Sequence, residues 1–153
     1  MFKIFNIKDK PEYLKEVAEL TQKEWENKNI SQEEFHDKIN KKMAKIINNF
    51  TNKFYCKLIL LDDKNLIGFI SLFPNDCEEK PFLSPWYATM FVKEEYRGEG
   101  YSKILNKAIL EEAKKRGFEK VYLKTNLVDY YEKLGATYIE TLKNGEKLYC
   151  FKL

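Results

Sequence analysis

The chain has 153 residues, 44% of them hydrophobic and 33% charged, and a formal net charge of +3; this is the make-up of one soluble globular domain spanning 1–153, long enough to bury its own core. No apolar run approaches the roughly 18–20 residues of a membrane span, and the opening MFKIFNIKDK lacks the apolar core of a signal peptide, so a cytoplasmic protein with no membrane partner is expected. Arginine occurs only at 97 and 116 and lysine is dispersed among acids, which argues against the concentrated positive face of a nucleic-acid binder.

In chain order, FKIFNI (2–7) reads as a short strand. Pro11 suits a first helical turn, and Leu14, Val17, Ala18, Thr21 and Trp25 then line one face at helical spacing. Ser31 and Glu34 form a capping box ahead of a second stripe, Phe35, Ile39, Met43, Ile46, Ile47 and Phe50. FYCKLILL (54–61) and NLIGFISLF (65–73), parted by DDK, read as an antiparallel hairpin. A polar, proline-bearing loop covers 75–85, and WYATMFV (86–92) is the next strand. Tyr101, Ile104, Leu105, Ala108, Ile109 and Ala113 make a helical stripe that Arg116 and Gly117 close. KVYLKTN (120–126) is a strand and VDYYEKLG (128–135) a short helix. TYIETL and KLYCFKL flank Asn144-Gly145, the strongest short hairpin signal. One α+β domain accounts for all of it.

Cys56, Cys77 and Cys150 are too few and too far apart for a disulfide framework or a metal site, and no metal is expected. His36 has no second histidine beside it and reads as a helix-surface residue.

The stretch YRGEGYSKIL (96–105) carries the chemistry. A strand that runs through glycines into a helix presents backbone N–H groups without intrahelical partners, and these can face an anion. Glycine permits positive φ and close approach, and an adjacent arginine adds charge-assisted bonds to phosphate. There is no Walker A loop, and Lys103 stands where a dinucleotide fingerprint needs glycine. What remains is Arg97-Gly98-Glu99-Gly100-Tyr101-Ser102, an R-x-x-G-x-small pattern after a strand.

This pattern resembles the acetyl-CoA pyrophosphate loop of the GNAT superfamily of N-acetyltransferases, Q/R-x-x-G-x-G/A. NLVDYYEKLGA resembles the family's second motif, and the order of elements is also the family's. Ser102 in place of glycine or alanine, Ala136 in place of a frequent phenylalanine, and the negative Glu99 depart from the pattern. The resemblance implies a mixed, mainly antiparallel sheet of six to seven strands flanked by about four helices. It also implies direct transfer of an acetyl group from acetyl-CoA to the amine of a small molecule or peptide. It assigns the pantetheine arm to the backbone of Met90, Phe91 and Val92, the pyrophosphate to Arg97, Gly98, Glu99, Gly100, Tyr101 and Ser102, and a further polar contact to Asn126. Tyr131 is the expected acid at the departing sulfur. Trp86 and Tyr87 are either acceptor-pocket or core residues. Asp76, Glu78, Glu79, Glu94 and Glu95 read as solvated loop acids, and no base is named.

Two readings stand beside this one: the same fold acting on a larger acyl-CoA, and a non-catalytic acyl-CoA-binding module. The strand at 147–153 reads as exposed and able to pair across a two-fold axis in a homodimer.

Overall fold

The computed structural model describes residues 1–26 and 28–153. Seven strands form one sheet: β1 (Phe2–Asn6), β2 (Cys56–Asp62), β3 (Asn65–Phe73), β4 (Trp86–Val92), β5 (Lys120–Thr125), β6 (Thr137–Thr141) and β7 (Lys147–Lys152). Their spatial order is β1-β2-β3-β4-β5-β7-β6, and every neighbouring pair is antiparallel except β4 and β5. The α-helices among the described residues are α1 (Leu14–Trp25), α2 (Gln32–Asn48) and α3 (Tyr101–Lys115). The sheet is therefore that of the expected GNAT fold.

Each sheet face buries its own cluster. On one face Leu58, Leu60, Ile67, Leu72, Val121 and Phe151 pack against Leu105, Ile109 and Ala113 of α3. On the other, Ile59, Leu61, Leu66 and Phe69 meet Leu14 and Val17 of α1 and Ile46 of α2. β2 and β3 are central strands covered on both faces, which is why they read as near-continuous apolar runs. No helix among the described residues is long and apolar enough to cross a membrane.

Four expectations are corrected. First, residues 128–135 are not a helix: Asp129 has φ +59°, which a right-handed helix cannot contain. Only a 3-10 turn, Glu132–Leu134, survives there, ending on left-handed Gly135. Second, Trp25 is 47% exposed, its ring edge-on to Phe91 at the end of α1. Third, Ile47 points outward beside buried Ile46, because adjacent helical positions lie about 100° apart and cannot share one narrow stripe. Fourth, β7 is no edge strand. It runs between β5 and β6, with Leu148, Tyr149, Cys150 and Phe151 buried, so the free edges belong to β1 and β6. The Asn144-Gly145 turn does join β6 to β7, with Gly145 at φ +93°.

Candidate active site

The site begins where the sheet opens. β4 and β5 meet at Trp86–Tyr122, where the Tyr122 N–H also donates to the Pro85 carbonyl at 3.0 Å. No further register pair joins these two strands among the described residues. The cause lies on the other edge of β4. Phe69 pairs with Phe91 but Ser71 pairs with Ala88, so β4 carries one extra residue there. A bulge of this kind bends its strand and raises its twist. Thr89 sits in it at φ +50°, an uncommon conformation for a β-branched residue. Beyond the bulge, Met90, Phe91 and Val92 border a cavity of about 290 Å³.

The other wall of that cavity is the glycine loop. Gly98 and Gly100 have φ +81° and +84°, and a Cβ at either would meet nothing within 4 Å. The dihedral demands glycine here, not a shortage of space. Gly100 caps α3 without any side-chain hydrogen bond, and the first turn of this 15-residue helix holds no acid. Its N–H groups and its positive dipole end are thus uncompensated. Tyr101, Ser102, Gly98, Gly100 and Arg97 all line the cavity. Glu99 is exposed and outside the lining.

Arg97 has a second engagement. Its Nε donates to the Val92 carbonyl at 2.8 Å, and its guanidinium lies 5.6 Å from the centre of the Phe91 ring. The inner nitrogen thus fastens the loop to the end of β4, leaving the outer fork for other acceptors. Tyr96 and Glu24 of α1, which the sequence reading did not single out, complete the lining. The salt bridge from Lys93 Nζ to Glu16 Oε2 at 2.6 Å ties α1 to the end of β4.

Tyr131 is half-buried, its ring edge-on to Tyr87 at 5.8 Å and to Tyr130 at 4.8 Å. Burial, and then the neighbouring Tyr130, push its phenol above the usual value, so it stays protonated at neutral pH. Tyr87 is locked beneath it: its hydroxyl donates to Oδ1 of buried Asn106 on α3 at 2.7 Å. Asn106 is a buried polar residue on the apolar side of an amphipathic helix, which was the available sequence signal. Trp86 is fully buried, its Nε1–H donating to the Leu83 carbonyl at 2.7 Å. Both aromatics at the start of β4 belong to the core. Asn126 lies one residue beyond β5, exposed and outside the lining of the cavity.

A second cavity, of about 680 Å³, lies beside Lys124 of β5 and under the 75–81 loop. Asp76, Glu78 and Glu79 line it. Burial raises the Asp76 carboxyl above its ordinary range, with Lys124 opposing.

Residues 14–136 match the model of the acetyltransferase (GNAT) family. The chain belongs to the GNAT acetyltransferases. An aminoglycoside 6'-acetyltransferase type Ii has a similar structure, with TM-score 0.70 at 20% identity over 99% of this chain and 96% of that one. An aminoglycoside 6'-N-acetyltransferase complexed with coenzyme A gives 0.71 at 17%, over 99% and 96%. The PaiA N-acetyltransferase of Thermoplasma acidophilum, in complex with coenzyme A, gives 0.64 at 23%, over 100% and 99%. No curated protein matches the sequence. In this GNAT chain the expected loop residues, Glu99 aside, and the three β4 residues border one cavity, while Asn126 and Tyr131 lie outside its lining.

Proposed function

We propose that this GNAT chain is a cytoplasmic N-acetyltransferase that moves the acetyl group of acetyl-CoA directly onto a primary amine of a small molecule or peptide. The observation that carries the reading is the parting of β4 from β5 next to a loop with two left-handed glycines. An extended pantetheine arm suits a strand edge such as Met90–Val92 by β-augmentation. A pyrophosphate suits the uncapped start of α3, helped by the outer nitrogens of Arg97. Bound in this way, acetyl-CoA supplies an activated thioester carbonyl. The chain's part is to hold the arm, to aim a β4 backbone N–H at the oxygen that gains charge, and to give the departing sulfur a proton from Tyr131.

The reading is tested by thermal unfolding with and without acetyl-CoA, followed by CoA-thiol release with spermidine, kanamycin and trilysine as acceptor probes. The aminoglycoside is included because two structurally similar proteins are aminoglycoside 6'-acetyltransferases. Acetyl-CoA at about 100 times its dissociation constant stabilises by about 2.7 kcal/mol, a midpoint rise of roughly 5–10 °C for a domain of this size. Binding without thiol release on any amine would instead favour the non-catalytic module.

Two variants sharpen the assignment. Arg97→Ala is expected to weaken acetyl-CoA binding about tenfold by isothermal titration, since it removes both the phosphate donor and the tie to Val92. Unchanged affinity would remove the arginine from the cofactor site. Tyr131→Phe is expected to lower kcat about a hundredfold with little effect on acetyl-CoA affinity. A fully active Tyr131→Phe enzyme would hand the sulfur's proton to water.

A further inference from the structure

Under α1 and α2, the sheet holds a buried polar chain that the reading above does not use. Lys57 of β2 is 4% exposed, and its Nζ lies 2.5 Å from Oγ of fully buried Ser71 on β3. The Thr89 hydroxyl, in the β4 bulge, donates to the same Ser71 oxygen at 2.8 Å. Thr89 is half-buried and directly precedes Met90, which lines the cofactor cavity. The chain therefore runs from a fully enclosed amine to the strand that would present the thioester.

The enclosure of Lys57 is unusual. No carboxylate pairs with it among the described residues. Its other neighbours are the Phe69 and Phe73 rings of β3, at 5.1 and 5.7 Å. The charged groups near it are Lys42 and Lys45 of α2, which oppose its charge; the adjacent Cys56 of β2 would favour it only as a thiolate, and burial holds Cys56 as a thiol, its pKa raised to about 11. Two aromatic faces return about 2 kcal/mol to a desolvated cation, while removing an ammonium from water costs several. Desolvation wins, helped by the two lysines, and pulls Lys57 down from the ordinary lysine value to about 7. Near neutral pH much of it is a free amine with a lone pair to offer.

We propose that Lys57 is the far end of a proton relay, Thr89–Ser71–Lys57, that receives the proton an ammonium acceptor must lose before it attacks. The inference rests on the amine-transfer reading. The acceptor's N–H bond breaks as Thr89 Oγ takes that proton. Thr89 passes its own hydroxyl proton to Ser71 Oγ, and Ser71 passes its own to the Lys57 lone pair. Each hydroxyl loses one proton and gains one, so the positive charge moves from the acceptor nitrogen to Nζ. After product leaves, the reverse path returns the proton to solvent. Lys57 acts through the two hydroxyls and touches no substrate, so it is a positioning residue at the end of a relay; the relay requires the acceptor nitrogen to approach half-buried Thr89, whose neighbour Met90 borders the cofactor cavity.

The experiment is the pH profile of kcat, read as CoA-thiol release with saturating acetyl-CoA and the spermidine, kanamycin and trilysine probes. It compares the wild type, Lys57→Met, Thr89→Val and Thr89→Ser. The wild type should lose activity about tenfold per pH unit below about pH 7, where Lys57 is protonated. Lys57→Met should lower kcat at pH 8 about a hundredfold and abolish that acid limb. Thr89→Val should do the same, while Thr89→Ser, which keeps the hydroxyl, should retain most of the turnover. Three results overturn the relay: an active Lys57→Met with the wild-type limb, a slowed Lys57→Met whose limb is unmoved, or Thr89→Val equal to Thr89→Ser. Acetyl-CoA binding by the wild type with no thiol release on any probe is a different failure, because it overturns the amine-transfer reading and takes the relay with it.

Discussion

Replacing Gly68 with alanine is expected to cost about 3 kcal/mol or more, a large share of the roughly 5–15 kcal/mol that holds such a domain together. Gly68 lies in β3 opposite Val92, and a Cβ there would stand 2.2 Å from the Phe91 carbonyl oxygen and 3.1 Å from the Val92 Cα. Both obstacles are backbone, so no rotamer change relieves the clash. β4 would have to move away from β3 at the residues assigned to the pantetheine arm. Urea unfolding should show a much lower midpoint for Gly68→Ala, and the acetyl-CoA-dependent thermal shift should shrink with it. Gly117→Ala is the control: its φ is +91° but a Cβ there meets nothing within 4 Å, so it carries dihedral strain alone, of order 1–2 kcal/mol. Equal midpoints for the two variants would mean that β4 yields without cost.

Gly68 also marks where sequence reasoning stops. It sits in the NLIGFISLF run, and nothing local distinguishes a glycine that permits a close strand crossing from one that merely weakens a strand. The strands and long helices were legible because their signals are local: the alternation and length of 54–61 and 65–73, the Ser31–Glu34 capping box, the Asn144-Gly145 turn. The Ser31 cap is present, its hydroxyl accepting from the Glu34 N–H at 3.1 Å. The 128–135 segment misled because YYEKLG has helical composition, whereas Asp129 takes a left-handed conformation that composition does not announce.

The candidate site divides along the same line. Arg97 to Ser102 could be read because a phosphate loop needs glycines in sequence beside a helix start. Lys57 and Ser71 were each visible as single polar residues inside apolar strands, and both fall on the odd-numbered face with Ile59 and Phe69. Their meeting depends on the β2–β3 register and on a bulge in β4, and both are tertiary facts. The tie from Arg97 to the Val92 carbonyl is of the same kind. The pattern places the arginine by the loop, and only the fold shows what its inner nitrogen holds.

Lys57→Met should stabilise the protein at neutral and acid pH, and the gain should fade as the pH rises toward 10. Lys57 in the fold holds its proton only up to about pH 7, whereas in the unfolded chain lysine holds it to about 10.4. Below pH 7 both states are protonated, and the folded state bears the full cost of burying an ammonium. Between about 7 and 10.4 the unfolded state binds more protons, so wild-type stability rises with pH across that window. At about 1.4 kcal/mol per unit, the pH-dependent part is on the order of 5 kcal/mol. Methionine fills a similar volume and does not titrate. It leaves Ser71 still accepting from Thr89 but without the amine as a partner, an offset of about 1–3 kcal/mol. The slope with pH is therefore the diagnostic, more than the offset. Urea unfolding of both proteins at pH 6, 8 and 10 reads it: a difference that shrinks steadily with pH places an ordinarily neutral amine under α1 and α2. A constant difference would mean that Lys57 keeps its charge when buried, and a charged lysine has no lone pair with which to receive a proton from Ser71.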